Sequence, residues 1–391
     1  MRRNPRRWRF LLMALSACLM FGACKKSEKS PDAQTPKQET PAAKTPEMKA
    51  TPADTATPEE KIMPAQIGNE LTMIAPYLDE PLTAGKNLVW CATLQLAWNK
   101  LAAFAGTGGV VQMEGDSPLA AMLNQQTATN IEIDAESSVV IAGAVGAETL
   151  SEIENAKQKF DAPMMDDAGT LPQGSIMAYA FMQKTLPFAW AFTRFEMPQA
   201  FAGQDVAYFG LQQHVPGDAA LDKMAAQVVI LDYKTNNDFV IELKTTSAQD
   251  RLILAKIAPG KTLKETMSAA LSRTAQAQPG TLAKSETLAI PVIDFERMRE
   301  FHELQGRKIM SQNPAANGAQ FSRVTQRIRF KLDETGAALE SEAALISALP
   351  PRQFVFDQPF LVLLMRQGAA QPYFAAWIEN SDALVPFQQP E

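Results

Sequence analysis

Two apolar runs near the C-terminus constrain this chain most. Phe354-Val355-Phe356 and Phe360 to Met365 are separated only by Asp357-Gln358-Pro359. Continuous apolar runs bounded by turn residues read as strands buried on both faces. Upstream, the run from Ser322 to Leu332 also reads as a strand, and it ends in the turn signal Asp333-Glu334-Thr335-Gly336. Between that turn and Gln353 the side chains are mostly small or apolar. The chain therefore leaves the core at one strand and returns at the next, with a loop between.

The N-terminus reads as a targeting segment. Arg2, Arg3, Arg6, Arg7 and Arg9 precede the apolar run Phe10 to Ala17, and no acid appears before Glu28. A basic start followed by a short apolar run is a secretory signal and not a spanning helix. The run closes at Phe21-Gly22-Ala23-Cys24, which resembles a bacterial lipobox, so residues 1–23 are expected to be removed and Cys24 acylated. Leu15-Ser16-Ala17-Cys18 is the competing site, and an ordinary signal peptide cut elsewhere is the other alternative. Acyl chains bury methylenes at ~0.8 kcal/mol each, so several of them anchor firmly. Lys25 stands where an inner-membrane retention signal places Asp. The expected location is thus the bacterial cell envelope, at the outer membrane in preference to the inner.

Residues 24–60 are rich in Lys, Ser, Thr, Pro, Ala and acids, and cannot offset the entropy of ordering. They are expected to form a disordered tether with an end-to-end distance on the order of 30–35 Å. Residues 61–391 hold no second linker and no repeat, and read as one domain. A net charge of -6 argues against nucleic acid as a partner. Beyond the signal, Cys91 is the remaining cysteine. It sits in the apolar run Leu88-Val89-Trp90-Cys91-Ala92 and reads as a buried thiol. That leaves no disulfide framework and no thiolate metal site.

Catalytic motifs are missing. His214 reads as a loop residue and His302 as a solvated one. Asp166-Asp167 reads as a turn, and Gly106-Thr107-Gly108-Gly109 as a helix C-cap. No enzyme activity, cofactor or metal is expected. Ala92 to Phe104, Glu148 to Phe160 and Leu263 to Leu271 carry helical spacing. Ile176 to Met182, Ala225 to Tyr233, Asp238 to Leu243, Leu252 to Ile257 and Thr287 to Ile293 read as strands, with a hairpin turn at Asn236-Asn237. Helices crowd the first half and strands the second, which predicts an α+β fold with antiparallel sheets.

Several segments, in this order, resemble the serpin family between about residues 68 and 382. They are Asn87 to Ala92, Ala178 to Phe188, Leu288-Ala289-Ile290-Pro291, Arg327 to Gly336, Asp357 to Leu364, and Tyr373 to Asn380. The resemblance implies three antiparallel or mixed sheets, about eight helices and an exposed reactive-type loop. It also implies a polar shutter at Cys91, Leu94, Ala178 and Gln326, where this chain has mostly replaced hydrogen bonding with packing. The segment between Phe301 and Phe330 looks shorter than in the family.

Function, by that resemblance, lies in the 337–349 loop. Its hinge would comprise Glu334, Gly336, Ala337, Leu339 and Ser341, and its scissile region Ile346, Ser347 and Ala348. A cut loop would enter a sheet as a new strand. Strand periodicity then puts Ala337, Leu339, Ser341, Ala343 and Leu345 on one face. Ala338, Glu340, Glu342, Ala344 and Ile346 fall on the other. The acids all fall on the second face, which agrees with insertion. Against it stand the bulk of Leu339 and a loop a few residues short. Small apolar residues around Ser347 suit a serine protease with shallow apolar pockets. The chain is expected to act as a monomer. Three readings stay open: a protease inhibitor or decoy, a non-inhibitory partner- or solute-binding lipoprotein of the same fold, and an unrelated α+β lipoprotein.

Overall fold

Of the two apolar runs, Phe360 to Met365 lies inside the largest sheet, while Phe354 to Phe356 enters an edge strand of a second, four-stranded sheet. In a computed structural model the chain divides into Met1–Ile62 and Met63–Glu391. The described residues are 71–388, apart from 107, 126, 129–132, 161–174, 213–217, 276–277, 322–323 and 336–350. The signal segment, Cys24 and the tether lie outside them. So do His214, Asp166 and Asp167.

In chain order, β1 (Thr72–Ile74) and β2 (Asn87–Cys91) lead into α1 (Thr93–Ala105). Then come β3 (Gln112–Met113), α2 (Pro118–Leu123), β4 (Ser138–Ala144), α3 (Ala147–Phe160) and β5 (Ile176–Met182). Four short strands follow, β6 (Thr193–Arg194), β7 (Gln199–Phe201), β8 (Gln204–Val206) and β9 (Tyr208–Leu211). Next are α4 (Ala219–Ala225), β10 (Val228–Thr235), β11 (Asp238–Leu243), β12 (Asp250–Lys256) and α5 (Leu263–Ala275). β13 (Gly280–Thr281), β14 (Thr287–Pro291), β15 (Ile293–Glu300), β16 (Ile309–Met310) and β17 (Thr325–Leu332) follow. The chain closes with β18 (Gln353–Val355), β19 (Phe360–Arg366) and β20 (Phe374–Ile378).

An eight-stranded sheet has the order β1-β2-β20-β19-β12-β11-β10-β13, and a four-stranded sheet the order β18-β14-β9-β6. β15–β17, β4–β5, β16–β3 and β7–β8 are separate pairs. Five α-helices occur among the described residues, where the family resemblance implied about eight. The three sheets it implied become two sheets and four two-stranded pairs among the described residues. The α+β reading with mainly antiparallel pairing holds.

Leu252, Ile253, Leu254 and Ala255 of β12 and Phe360 to Leu363 of β19 are buried in the middle of the eight-stranded sheet. Each such large side chain contributes about 1.5–3 kcal/mol on burial. At Asn236-Asn237 the β10–β11 hairpin turns as its sequence predicts. Thr235 Oγ1 accepts from Asn237 N at 3.2 Å, and the Tyr233 hydroxyl donates to Asn236 Oδ1 at 2.6 Å. The apolar run from Thr287 to Ile293 is two strands. At Val292 the chain leaves β14 for β15, its N–H donating to Ala207 O and its carbonyl accepting from Val385 N.

The start of α5 is finished by chain from the far N-terminal side. The N–H groups of Leu263 and Lys264 donate to the carbonyls of Glu80 and Leu78. Those donors have no partner within a helix. Thr262 Oγ1 accepts from Glu265 N at 3.2 Å, and Glu265 Oε2 accepts from Lys261 N at 2.7 Å, a variant of the capping box. No described helix is long and apolar enough to cross a membrane.

Candidate functional site

β17 carries the chain toward residues 337–349, the segment expected to form the loop. Outward side chains Arg327, Arg329 and Lys331 alternate with buried Gln326, Ile328 and Leu332, as a half-buried strand requires. Past its end, Asp333 Oδ1 accepts from Thr335 N at 3.0 Å, and Lys331 Nζ lies 2.6 Å from Asp333 Oδ2. Burial alone would push the Asp333 carboxyl up. Hydrogen bonds from Lys331 and Thr335 outweigh it and hold the group below the usual range. Glu334 Oε2 accepts from Arg194 Nη1 of β6 at 2.8 Å. The other expected loop residues, Gly336, Ala337, Leu339, Ser341, Ile346, Ser347 and Ala348, lie outside the described residues.

The chain returns at Arg352, whose guanidinium bonds both oxygens of Glu286, one through Nη2 at 3.0 Å. Its flat face lies 5.4 Å from the ring centroids of Tyr233 and Phe354. Gln353 N donates to Asn236 Oδ1 at 3.1 Å, and β18 then pairs parallel with β14. The two roots differ in strength. Arg194 and Glu334 are partly exposed, and such pairs contribute about 0–1 kcal/mol. The Glu286 side chain is only 7% exposed, so the second root is the firmer one.

β17 pairs with β15 along one edge only. β5 pairs with β4 along one edge only. The remaining edges of β17 and β5 share no ladder among the described residues. Burial pushes the Tyr179 hydroxyl of β5 up to about 12, and the charge of Arg327 of β17 pulls it partly back.

The β4–β5 ribbon packs on α3 through Ile141, Val145, Ile153, Ala156 and Met177. An ionic clasp fastens it to the eight-stranded sheet. Lys184 Nζ lies 2.9 Å from Asp250 Oδ2 and also bonds Asp134. Asp250 accepts from the Tyr373 hydroxyl at 3.2 Å and from Ser247 Oγ at 2.6 Å. Burial alone would push Asp134 up, but hydrogen bonds from Lys184 and Ser137 bring it down to about 2.

Of the four expected shutter positions, Cys91 and Gln326 are joined by hydrogen bonds. Gln326 Nε2 donates to Cys91 O at 3.0 Å and to Thr93 Oγ1 at 2.9 Å. Thr93, absent from the sequence-based set, supplies the missing hydroxyl, so packing has not wholly replaced hydrogen bonding here. The signal was a Thr two positions past the strand end, at the first position of α1. Burial pushes the Cys91 thiol up, as expected of a structural cysteine. His302 is exposed and its Nδ1 meets Gln305 Oε1 at 3.1 Å. Among the described residues no cluster of His, Cys, Asp or Glu has a metal-binding arrangement.

No protein-family model matches this chain, and no curated protein matches it. Solved structures do. SRPN18 from Anopheles gambiae is similar at 11% identity over 78% of this chain and 93% of its own, with a TM-score of 0.45. Mouse protein-Z dependent protease inhibitor is similar at 12% identity over 75% and 91%, with a TM-score of 0.47. Thyroxine-binding globulin in complex with thyroxine is similar at 11% identity over 75% and 93%, with a TM-score of 0.43. Identities this low leave function to be read from the chain's own residues.

Proposed function

We propose that this chain is a serpin-like envelope lipoprotein, anchored through Cys24, whose 337–349 loop is bait for a serine protease that prefers small apolar side chains. It acts as an inhibitor or a decoy, and its own residues catalyse nothing. One observation carries the reading: β17, which leads into residues 337–349, has one edge that joins no ladder among the described residues, and so has β5. A cut loop that turned back at Thr335-Gly336 would run antiparallel to β17 along that open edge. With a two-residue turn there, Glu340 falls across from Lys331 and Glu342 across from Arg329 on the outer face. On the inner face Ser341 falls across from Phe330 and Ala343 across from Ile328, small against large. The ladder hydrogen bonds and these charge pairs supply the driving force.

Incubation with an elastase-like protease tests this. Cleavage near Ser347–Ala348 with an SDS-stable covalent complex marks an inhibitor. Cleavage there without the complex, followed by a rise in melting temperature, marks a decoy. Resistance of the 337–349 loop to all such proteases rejects the proposal.

A second reading, a non-inhibitory partner- or solute-binding lipoprotein, is favoured by the Lys184 clasp. It fastens the β4–β5 ribbon to the eight-stranded sheet and so restrains β5. That reading expects cleavage with no gain in thermal stability.

A further inference from the structure

Between β5 and β6 the chain turns one tryptophan outward. Phe188 and Phe192 are buried, and their rings meet edge to face at 4.9 Å. Trp190, midway between them, is 44% exposed, whereas Trp90, Trp98 and Trp377 are buried. One buried side chain fixes its backbone on both sides. Trp190 N donates to Gln227 Oε1 at 2.8 Å, and Gln227 Nε2 donates to Trp190 O at 2.6 Å. A ring presented on so fixed a backbone loses little freedom on binding. Lys223 of α4 places its ammonium 3.9 Å from the ring centroid. The amide of Lys244, just past β11, donates to Gln227 O at 2.8 Å and brings a second exposed lysine to this corner. Among the described residues neither lysine forms an ion pair. The acids of α4 are engaged elsewhere: Asp218 caps the helix, and Asp222 lies 3.3 Å from Lys284 Nζ.

We propose that this corner docks on an anionic lipid surface, with the Trp190 ring at the level of the headgroups and Lys223 and Lys244 against their phosphates. An amphipathic ring flanked by cations suits a membrane–water interface, and lysines near an anionic leaflet are drawn to it. The whole chain carries a net charge of -6, which such a surface repels, so a docking face has to offer cations that no carboxylate already holds. The occupant follows from the tether. An acylated Cys24 followed by residues 24–60 would hold the domain near a bilayer at an effective concentration on the order of 1 mM, so that even a weak contact is populated. The strength of docking rests on that proposed anchor, whereas the contact itself does not.

The test mixes the full chain with vesicles of brominated phosphatidylcholine, with or without phosphatidylglycerol, and follows tryptophan emission. Bromine quenches only rings that reach the lipid. Quenching by the anionic vesicles that disappears in Trp190→Phe is expected, with at least about threefold less in the neutral ones. Lys223→Gln combined with Lys244→Gln should lower it by a similar factor, and salt should weaken what remains. These side chains are exposed, so the variants leave the core intact. Flotation of the vesicles after a salt wash reports the Cys24 anchor separately. A chain that floats without Trp190 quenching retains the anchor and overturns the docking. One that is quenched but does not float after the wash supports the docking and overturns the anchor. Equal quenching by both kinds of vesicle, or no loss in the lysine variant, would also overturn the docking. A shift of Trp190 emission by poly-glutamate, with no quenching by lipid, would assign the face to an acidic peptide instead.

Discussion

Lys256, at the end of β12, donates from its buried ammonium to the carbonyl of Val355 at 2.9 Å, the last residue of β18. The same Nζ reaches Asn236 O at 3.2 Å and Asn237 Oδ1 at 2.9 Å, and it pairs with Asp357. One side chain thus ties the β10–β11 turn to the middle of the Phe354-Val355-Phe356 run and to Asp357 just after it. Lys256→Met should cost about 2–3 kcal/mol, because several acceptors lose their donor while Asp357 stays half in water. Denaturant unfolding measures this, and a loss below about 0.5 kcal/mol would contradict it.

Limited proteolysis should nick the folded domain first within 337–349. The two fragments should stay together on gel filtration, because Phe354 and Phe360 to Leu363 are fully buried. If the freed strand enters beside β17, several new ladder bonds at about 1 kcal/mol each should raise the melting temperature by roughly 10 °C. First cuts in β19 or β20 would be inconsistent with the structure.

Acid should loosen the Lys184 clasp in a narrow window. The folded-state pKa of Asp134 lies below its ordinary value of 3.8, at about 2. The unfolded chain therefore takes up this proton first as pH falls. The contribution of Asp134 is complete above about pH 4 and disappears as pH drops toward about 2. Melting curves of Asp134→Asn should lack that part of the acid loss, and an identical slope would show that Asp134 is not responsible.

Gln326→Leu should cost about 1–2 kcal/mol by taking a donor from the Cys91 carbonyl and from the Thr93 hydroxyl, which keeps its own bond to Cys91 Sγ. Adding Thr93→Val removes one group that lost its donor, so the double variant should lose less than the two single losses combined. Strict additivity in that cycle would mean the two side chains are not coupled.

Cys24→Ser should move the protein from the membrane pellet to the soluble fraction after a salt wash. Continued pelleting would place the anchor elsewhere.

Much of the architecture was legible because it is written locally. Phe354 to Phe356 and Phe360 to Met365 are each continuous in apolarity, and Asn236-Asn237 carries its own turn chemistry. Helices α1 and α3 show clear periodicity. β15 went unread because Glu296, Arg297, Arg299 and Glu300 give it the charge of a surface loop, yet it pairs along its whole length with β17. α2 and α4 are short, although Ser117-Pro118 and Asp218 mark their starts. The site was less legible for a different reason. Arg194 meets Glu334 across 140 positions and Gln326 meets Cys91 across 235, and no local pattern specifies such partners. The unpaired edges of β5 and β17 concern strands that do not bond, which no periodicity encodes.

The capping of α5 by Leu78 and Glu80 sets a lower limit on how short a folding unit this chain can have. A fragment beginning at Thr83 would retain every residue of the helix but would expose two of its first amides. It would also empty the space filled by Leu78, which is 2% exposed. The strip from 71 to 82 therefore behaves as a keystone supplied from outside the helix it completes. Trimming from the N-terminal side should be tolerated up to that strip and fail abruptly within it.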